Sequence, residues 1–324
     1  MNILLITEQR EGKWNKTSFD TLAAAQQIAG ETGSKLAGIV IGKGVAGLAD
    51  EIAASKLDEV LLVEHDLLAA YTPDGFTHAL SQLVAAVKPD LVLLPHTYQV
   101  RDFAPKLAAS LGRGMIADCV GYRKDGDKLL FVRQMFQGKT AADVTFQGAP
   151  PWFASFQAGA FRADLVAKGA AKAPVRAVGV ELRPEQIRTK PLELFREAKQ
   201  AVDLTQAPII VAIGRGIKAP ENISMAEKLA KVLGGELAAS RPICDEGWLP
   251  MERQIGSSGQ TVAPKLYLAL GISGAIQHVV GMKGSRTIVA VNKDPDAPIF
   301  ELADYGIAGD LFEIVPAMID ALNA

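Results

Sequence analysis

Four short runs of mostly branched aliphatic residues, separated by amphipathic segments, punctuate the first hundred positions of this chain. They are Ile3–Thr7, Leu36–Ile41, Val60–Glu64 and Leu91–Pro95, and their nearly continuous apolar character is that of strands buried on both faces. Between them Phe19, Leu22, Ala25 and Ala29 share one helical face, as do Phe76, Leu80, Leu83, Val84 and Val87. Parallel strands need helical crossovers of this kind, so the pattern commits the region to a doubly wound α/β domain.

After the fourth run, Pro95-His96-Thr97-Tyr98-Gln99-Val100-Arg101-Asp102 leads into a helix with Phe103, Ala104, Leu107, Ala108 and Leu111 on one face. Asp102 is the expected N-cap. A strand end meeting a helix start is a place where α/β domains hold ligands, and His96 and Arg101 could serve a nucleotide there. No second acid, base or nucleophile stands near them in sequence, which favours a solvated loop or a subunit contact. From about Met115 to Gln157 strands follow one another without helices: Ala117–Arg123, Leu129–Phe136, Ala141–Phe146 and Trp152–Gln157, with Asp125-Gly126-Asp127 as a hairpin turn. This block is expected to extend the sheet or to form a small antiparallel one. Residues 158–205, rich in Ala, Lys, Pro and charge, read as a solvated linker. That places a boundary near 200 and divides the chain into domains 1–200 and 201–324.

The second domain opens with Ile209-Ile210-Val211-Ala212-Ile213-Gly214-Arg215-Gly216, a buried strand running into glycines, and a helix with Ala226, Leu229, Ala230 and Leu233 on one face. Gly214 and Gly216 alone make a weak dinucleotide fingerprint. Glu236–Ala239 is the next strand, followed by Ser240-Arg241-Pro242 in a loop region. In Leu268-Ala269-Leu270-Gly271-Ile272-Ser273-Gly274-Ala275-Ile276-Gln277-His278 an apolar run stops at glycine and an amphipathic segment begins at once. Such a strand-to-helix junction presents free backbone N–H groups to an anion. Thr287–Val291, a short helix at Pro298–Ala303, and Tyr305–Gly309 follow. Asp310 starts a C-terminal helix in which Val315, Met318, Ile319 and Leu322 form one face and Pro316 falls in the first turn. The strand ends at Gly214, Ser240, Gly271 and Asn292 should lie along one edge of a parallel sheet, where α/β domains bind ligands.

Composition narrows the class. With 49% hydrophobic residues, 22% charged and a net charge of −2, neither nucleic acid nor an anionic membrane is a main partner. No apolar stretch approaches the roughly 20 residues of a spanning helix, so no membrane insertion is expected. Cys119 and Cys244 stand far apart and outside any C-x-x-C, which leaves no basis for a metal or a disulfide framework. The N-terminus reads as a strand, with no signal or transit peptide expected, and the expectation is a cytoplasmic location. No nucleophile–base motif occurs; the Ser, Gln, Asn, Arg and His at strand ends suit binding of a polar cofactor better than hydrolysis.

Ala239-Ser240-Arg241-Pro242, Gln254-Ile255-Gly256-Ser257-Ser258-Gly259 with Val262-Ala263-Pro264, Leu266 to His278, Ala290-Val291-Asn292-Lys293-Asp294-Pro295 and Ala303-Asp304-Tyr305-Gly306-Ile307 together resemble the alpha subunit of an electron-transfer flavoprotein. The resemblance is strong over the second domain; over the first it rests on the α/β pattern and Leu93-Leu94-Pro95-His96. It implies an N-terminal doubly wound, adenine-nucleotide-hydrolase-like domain and a C-terminal Rossmann-like parallel-sheet FAD-binding domain. It further implies a heterodimer with a beta subunit that carries AMP or a second FAD. The chain would then be an electron carrier rather than a substrate-turnover enzyme, receiving electrons singly from a flavin dehydrogenase such as an acyl-CoA dehydrogenase and passing them to a quinone or other acceptor. An NADH-oxidising, electron-bifurcating form is the alternative within the family; a nucleotide hydrolase or ligase built on the first domain is the alternative outside it.

Position by position, the resemblance implies FAD contacts at Arg215, Ser240, Arg241, Ile255, Gly256, Ser257, Ser258, Ser273, Gly274, Ala275, Ile276, Gln277, His278, Asn292, Asp310 and Leu311, with Arg241, Ser258 and His278 tuning the flavin. Ser273 to Ile276 would face the pyrophosphate and His278, one turn on, the ring, which requires the FAD to bend back. Family members commonly carry Gln, Thr and Lys where this chain has Ser257, Ser258 and Gln260, which bears on the contact at 257 and on the charge of the pocket. Taken singly, Ser273 is a helix N-cap, Arg241 a surface ion-pair member, His278 a core or surface histidine, and Asn292 and Asp310 turn and cap residues. Their joint occurrence in this order points to a cofactor.

Overall fold

A computed structural model of the chain describes residues 1–136, 138–192 and 203–323. The chain divides into two compact units, Met1–Met135 with Thr140–Leu194, and Phe195–Ala324 with Phe136–Lys139. The boundary expected near 200 falls within 193–202, outside the described residues.

In the first unit the strands are β1 (Asn2–Ile6), the short hairpin β2 (Gln9–Arg10) and β3 (Lys13–Trp14), β4 (Lys35–Gly42), β5 (Glu59–Glu64), β6 (Leu91–Pro95), β7 (Met115–Asp125), β8 (Lys128–Met135), β9 (Thr140–Val144), β10 (Trp152–Phe156) and β11 (Val175–Ala177). Its nine-stranded sheet has the order β11-β5-β4-β1-β6-β10-β7-β8-β9, parallel except for the β7-β8-β9 meander at one edge. Alternation along β1 sends Ile3 and Leu5 to one face, under α1 (Thr17–Thr32) and α2 (Ala46–Ile52). Leu4 and Ile6 point to the other, under α3 (Pro73–Val87) and α4 (Tyr98–Ser110). The aliphatic runs are therefore strands covered on both sides, and the expected antiparallel block extends the same sheet.

Two expectations for the first unit need correction. Thr97, not Asp102, caps α4: its hydroxyl accepts from Val100 N–H at 3.1 Å, whereas the Asp102 carboxylate accepts from the Tyr71 hydroxyl at 2.8 Å. Thr97 follows the strand directly in extended conformation, so the helix begins a full turn before Asp102. The stretch 158–205 is also more than a linker, because β11 pairs with β5 at the sheet edge and Arg188 is held by the buried carboxylate of Asp74, which also pairs with Lys106. Lys168 and Lys172 are exposed, as a solvated segment requires.

The second unit is a five-stranded parallel sheet of β12 (Ile209–Ile213), β13 (Glu236–Ala239), β14 (Leu266–Leu270), β15 (Ile288–Asn292) and β16 (Tyr305–Ala308), in the order β13-β12-β14-β15-β16. One face packs on α5 (Ile223–Leu233) and α8 (Leu311–Asn323) through Val211, Leu268, Leu229 and Val315. The other, with Ile210, Tyr267 and Ala269, packs on Ile255, Val262, Met282 and Ile299. Pro316 is the sixth residue of α8 rather than a first-turn residue, since the helix begins at Leu311, and Leu322 on its last turn is exposed. Among the described residues no helix is long and apolar enough to cross a membrane, and no group of His, Cys, Asp and Glu could hold a metal ion.

Candidate functional site

The register of the second sheet sets its functional edge. Ile213 pairs with Ala239 on one side and Leu270 on the other, and Leu270 pairs with Val291. The next residue of each strand is therefore Ser240, Gly214, Gly271 and Asn292, side by side in one row at the carboxyl ends, as the sequence predicts.

Backbone closes on backbone around this row. Gly216 N–H donates to Gly271 O at 3.1 Å, and a Cβ on Gly216 would lie 2.6 Å from the Gly271 Cα, so the loops after β12 and β14 touch with no room for side chains. Gly274, at φ +89°, would bring a Cβ to 2.3 Å from Ile299 N, and the Ile299 N–H donates to Ser273 O at 3.1 Å. Only glycine combines that left-handed backbone with such an approach.

The junction differs from the expectation of a helix beginning at once. Residues 271–275 form a loop, and only one turn of helix follows, α7 (Ile276–Val279), with Ala275 rather than Ser273 at its N-cap position. Gly271 at φ +63° and Gly274 at φ +89° take the chain out of the helical region, which separates strand from helix. An anion at this junction would meet loop amides instead of a helix dipole. Among the described residues the N–H groups of Ser273, Gly274, Ala275 and Ile276 have no acceptor, and Ser273, Ala275, Ile276 and Gln277 are exposed.

The loop 254–260 seals the opposite side of the row. Ile255 N–H donates to Ala239 O at 2.9 Å and Ser257 N–H to Gln277 O at 2.7 Å. Gly256 lies so close to α7 that a Cβ would meet Gln277 O at 2.7 Å. Ser257 and Ser258 are exposed, and the Ser258 oxygen accepts from Gln254 Nε2 at 2.9 Å, so its own proton is left to donate. Gln254 is buried, and its Oε1 has no partner.

His278 is also buried, 6% exposed, with Nε2 at 2.8 Å from the hydroxyl of Tyr267 and Nδ1 without a hydrogen-bond partner. Burial pushes its pKa down to about 4, with the Ile255 backbone opposing the shift, so the ring is neutral at physiological pH. Two orphaned buried polar atoms, Gln254 Oε1 and His278 Nδ1, lie at this edge, where unpaired polar groups are costly and call for a partner outside the chain.

Arg241 begins a short helix, α6 (Arg241–Asp245), instead of lying in a loop, because Pro242 at the second position is preset for helix. Its side chain is 66% exposed and pairs with Asp245 at 3.1 Å, an i,i+4 contact contributing about 0.3–0.5 kcal/mol, readily exchanged for a stronger anion. Ser240 is buried and its hydroxyl caps nothing. Arg215 is exposed on the turn after Gly214. Asn292 bridges loops, donating to Ile272 O at 2.9 Å and accepting from Asp294 N–H at 3.0 Å. Asp310 accepts from Phe312 N–H at 2.9 Å, and Leu311 is buried beneath Gly271. All the residues expected at the site thus fall on this one edge.

Sequence reasoning missed three residues. Gln254 positions Ser258, Tyr267 holds His278, and Lys218, at φ +68°, places its ammonium 3.9 Å from the Asp310 carboxylate. A tyrosine inside an otherwise aliphatic buried strand was the available signal, since its hydroxyl must find a partner. The thiols of Cys119 and Cys244 are buried and pushed up to about 12 and about 11, so neither is a nucleophile.

The residues fit a large anionic dinucleotide. A family model described as electron transfer flavoprotein domain matches residues 3–182, and one described as electron transfer flavoprotein FAD-binding domain matches residues 203–283. The chain is 39% identical over 323 residues to the electron transfer flavoprotein subunit alpha of Thermoanaerobacterium thermosaccharolyticum, covering 99% of this chain and 98% of that one. It is 37% identical to the subunit of the same name in Bacillus subtilis, covering 98% and 96%. It is also 39% identical to the acryloyl-CoA reductase electron transfer subunit beta of Anaerotignum propionicum, covering 99% and 95%. With both units matched and the similarity running almost end to end, the chain belongs to the electron transfer flavoprotein alpha-subunit family.

Proposed function

We propose that the second unit holds FAD along the row Ser240, Gly214, Gly271 and Asn292. Paired with a beta subunit in the cytoplasm, the chain takes electrons from a flavin dehydrogenase, such as an acyl-CoA dehydrogenase, and passes them to a quinone or other redox acceptor. The observation that carries this is the in-register row of strand ends flanked by free loop amides and by the orphaned His278 Nδ1.

When bound, FAD supplies one-electron chemistry that the chain's own side chains lack. The amides of Ser273 to Ile276 would hold the pyrophosphate, with Arg215 adding positive charge nearby. Ser258, its oxygen fixed by Gln254, would donate its proton at flavin N5, and His278 would present Nδ1 to the ring. Gly256 and Ser257, with Ile255, Gln277, Asn292, Asp310 and Leu311, would shape the walls.

Arg241 would favour the ring more once it has gained negative charge, and only such differential interactions raise a potential. A hydrogen bond to a charged group contributes about 1.5–3 kcal/mol, so Arg241→Ala is expected to lower the flavin potential by about 60–130 mV in potentiometric titration. An unchanged potential would contradict the role given to Arg241.

The chain turns over no substrate in this reading. In the first unit His96 Nδ1 lies 2.9 Å from Ser155 Oγ and Nε2 3.7 Å from Asp118, but Ser155 is fully buried and accepts from Asp118 N–H, which removes it as a nucleophile. Buried Glu8, bonded to Thr97 and Asn15 between the ends of β1 and β6, would repel a nucleotide phosphate there.

Denaturing the co-purified complex and counting released nucleotides tests the proposal. One FAD and one AMP per heterodimer are expected; two FAD would identify the bifurcating alternative. A colourless complex that stays so after FAD is added overturns the proposal, and release of AMP or pyrophosphate from added ATP would favour a hydrolase.

A further inference from the structure

Tyr267 lies at the second position of β14 and is completely buried on the sheet face that packs against Ile255 and Met282. Its hydroxyl meets His278 Nε2 at 2.8 Å, and the two ring centroids are 6.2 Å apart. Phenylalanine would fill the same space, so the hydroxyl is there for the imidazole.

A neutral imidazole carries one N–H, and a phenol has one proton to give. If Nε2–H donated to Tyr267, the phenol proton and the Nδ1 lone pair would both be left buried without partners. If Tyr267 donates to Nε2, the ring proton sits on Nδ1 and only that group waits for an acceptor. The second arrangement satisfies more of the buried groups, and Nδ1 is the atom found without a partner, beside the loop that carries Ile255 to Ser258.

We propose that Tyr267 is a positioning residue: by donating its hydroxyl proton to Nε2 it holds His278 in the Nδ1–H tautomer, so that a neutral N–H donor faces the flavin as the ring gains charge. The inference rests on the placement of FAD beside His278. Removing the hydroxyl leaves Nε2 free to take the proton, and an Nδ1 that then offers a lone pair would disfavour the charged ring.

The test uses the complex of this chain with its beta subunit and FAD. The chain has four histidines, so selective ¹⁵N-histidine labelling can resolve the tautomer of His278. Nδ1–H is expected in the wild-type protein and a shift toward Nε2–H in Tyr267→Phe. Tyr267→Phe should weaken binding of reduced relative to oxidised FAD about tenfold, a fall of about 59 mV for a one-electron couple, and this fall should vanish in the His278→Ala background. An Nε2–H tautomer in the wild type overturns the proposal even if the variant fails to fold, as does a Tyr267→Phe shift that persists without His278. If His278→Ala leaves the potential unchanged while the wild type shows Nδ1–H, it is the placement of the flavin that fails.

Discussion

In the first unit polar residues at the carboxyl ends of β1, β6 and β10 are bonded to one another. Glu8 accepts from Thr97 and Asn15, its N–H donates to Ser18 Oγ at 2.8 Å, and His96 joins Ser155. In the second unit the same edge of a parallel sheet is lined by Gly214, Gly271 and Gly274, with loop amides lacking acceptors and two buried side-chain atoms lacking partners. The carboxyl edge of a doubly wound sheet collects polar residues whatever its role. It becomes a ligand site where those groups cannot satisfy each other, and a closed structural edge where they can.

The largest expected effect strikes the open edge. Gly271→Val would drive a side chain into Gly216 and Leu311 at φ +63°, and overpacking plus backbone strain should destabilise the second unit by about 3–5 kcal/mol. Urea unfolding followed at Trp248, with Trp14 and Trp152 replaced by Phe, measures this; an unchanged midpoint would mean that the two loops are not pressed together.

Next is acid sensitivity at His278. Its folded pKa near 4 lies below the unfolded value of about 6.5, so as pH falls below about 6.5 the unfolded chain binds the proton first. About 3 kcal/mol should be lost progressively down to pH 4 and little more below it from this group. His96 is depressed in the same direction, so the contribution of His278 is the difference from His278→Phe, whose stability should depend less on pH over that window.

The smallest change belongs to the closed edge. Thr97→Val removes a helix cap and a partner of Glu8, and should destabilise the first unit by about 1 kcal/mol while leaving the flavin potential where it was. A shift in potential would break the distinction between the edges.

The strands were legible because each is buried on both faces and reads as a bounded aliphatic run; Leu91–Pro95 and Glu236–Ala239 coincide with their expected limits. The row of strand ends at the candidate site followed from them. Features that depend on contacts distant in sequence were not legible. The three residues of β11 are exposed and become a strand only by pairing with β5, and nothing in a stretch rich in Ala, Lys and Pro signals that. Thr97 and Asp102 are both good caps, and the choice was made by where β6 releases the chain and by Tyr71, which engages Asp102. Small residues after Gly271 suit a helix start or a loop equally, and contact with Ile299 selects the loop. The Tyr267–His278 bond joins two elements across eleven positions and required the fold to reveal it.

Hydrogen exchange of the complex, measured before and after FAD is restored, tests the contrast between the two edges most directly. Added protection is expected at Gly256–Gly259 and Ser273–His278, with the amides of Glu8 and His96–Val100 unchanged. Protection at Glu8 and His96–Val100, with none along Ser273–His278, would contradict the assignment of FAD to the second unit.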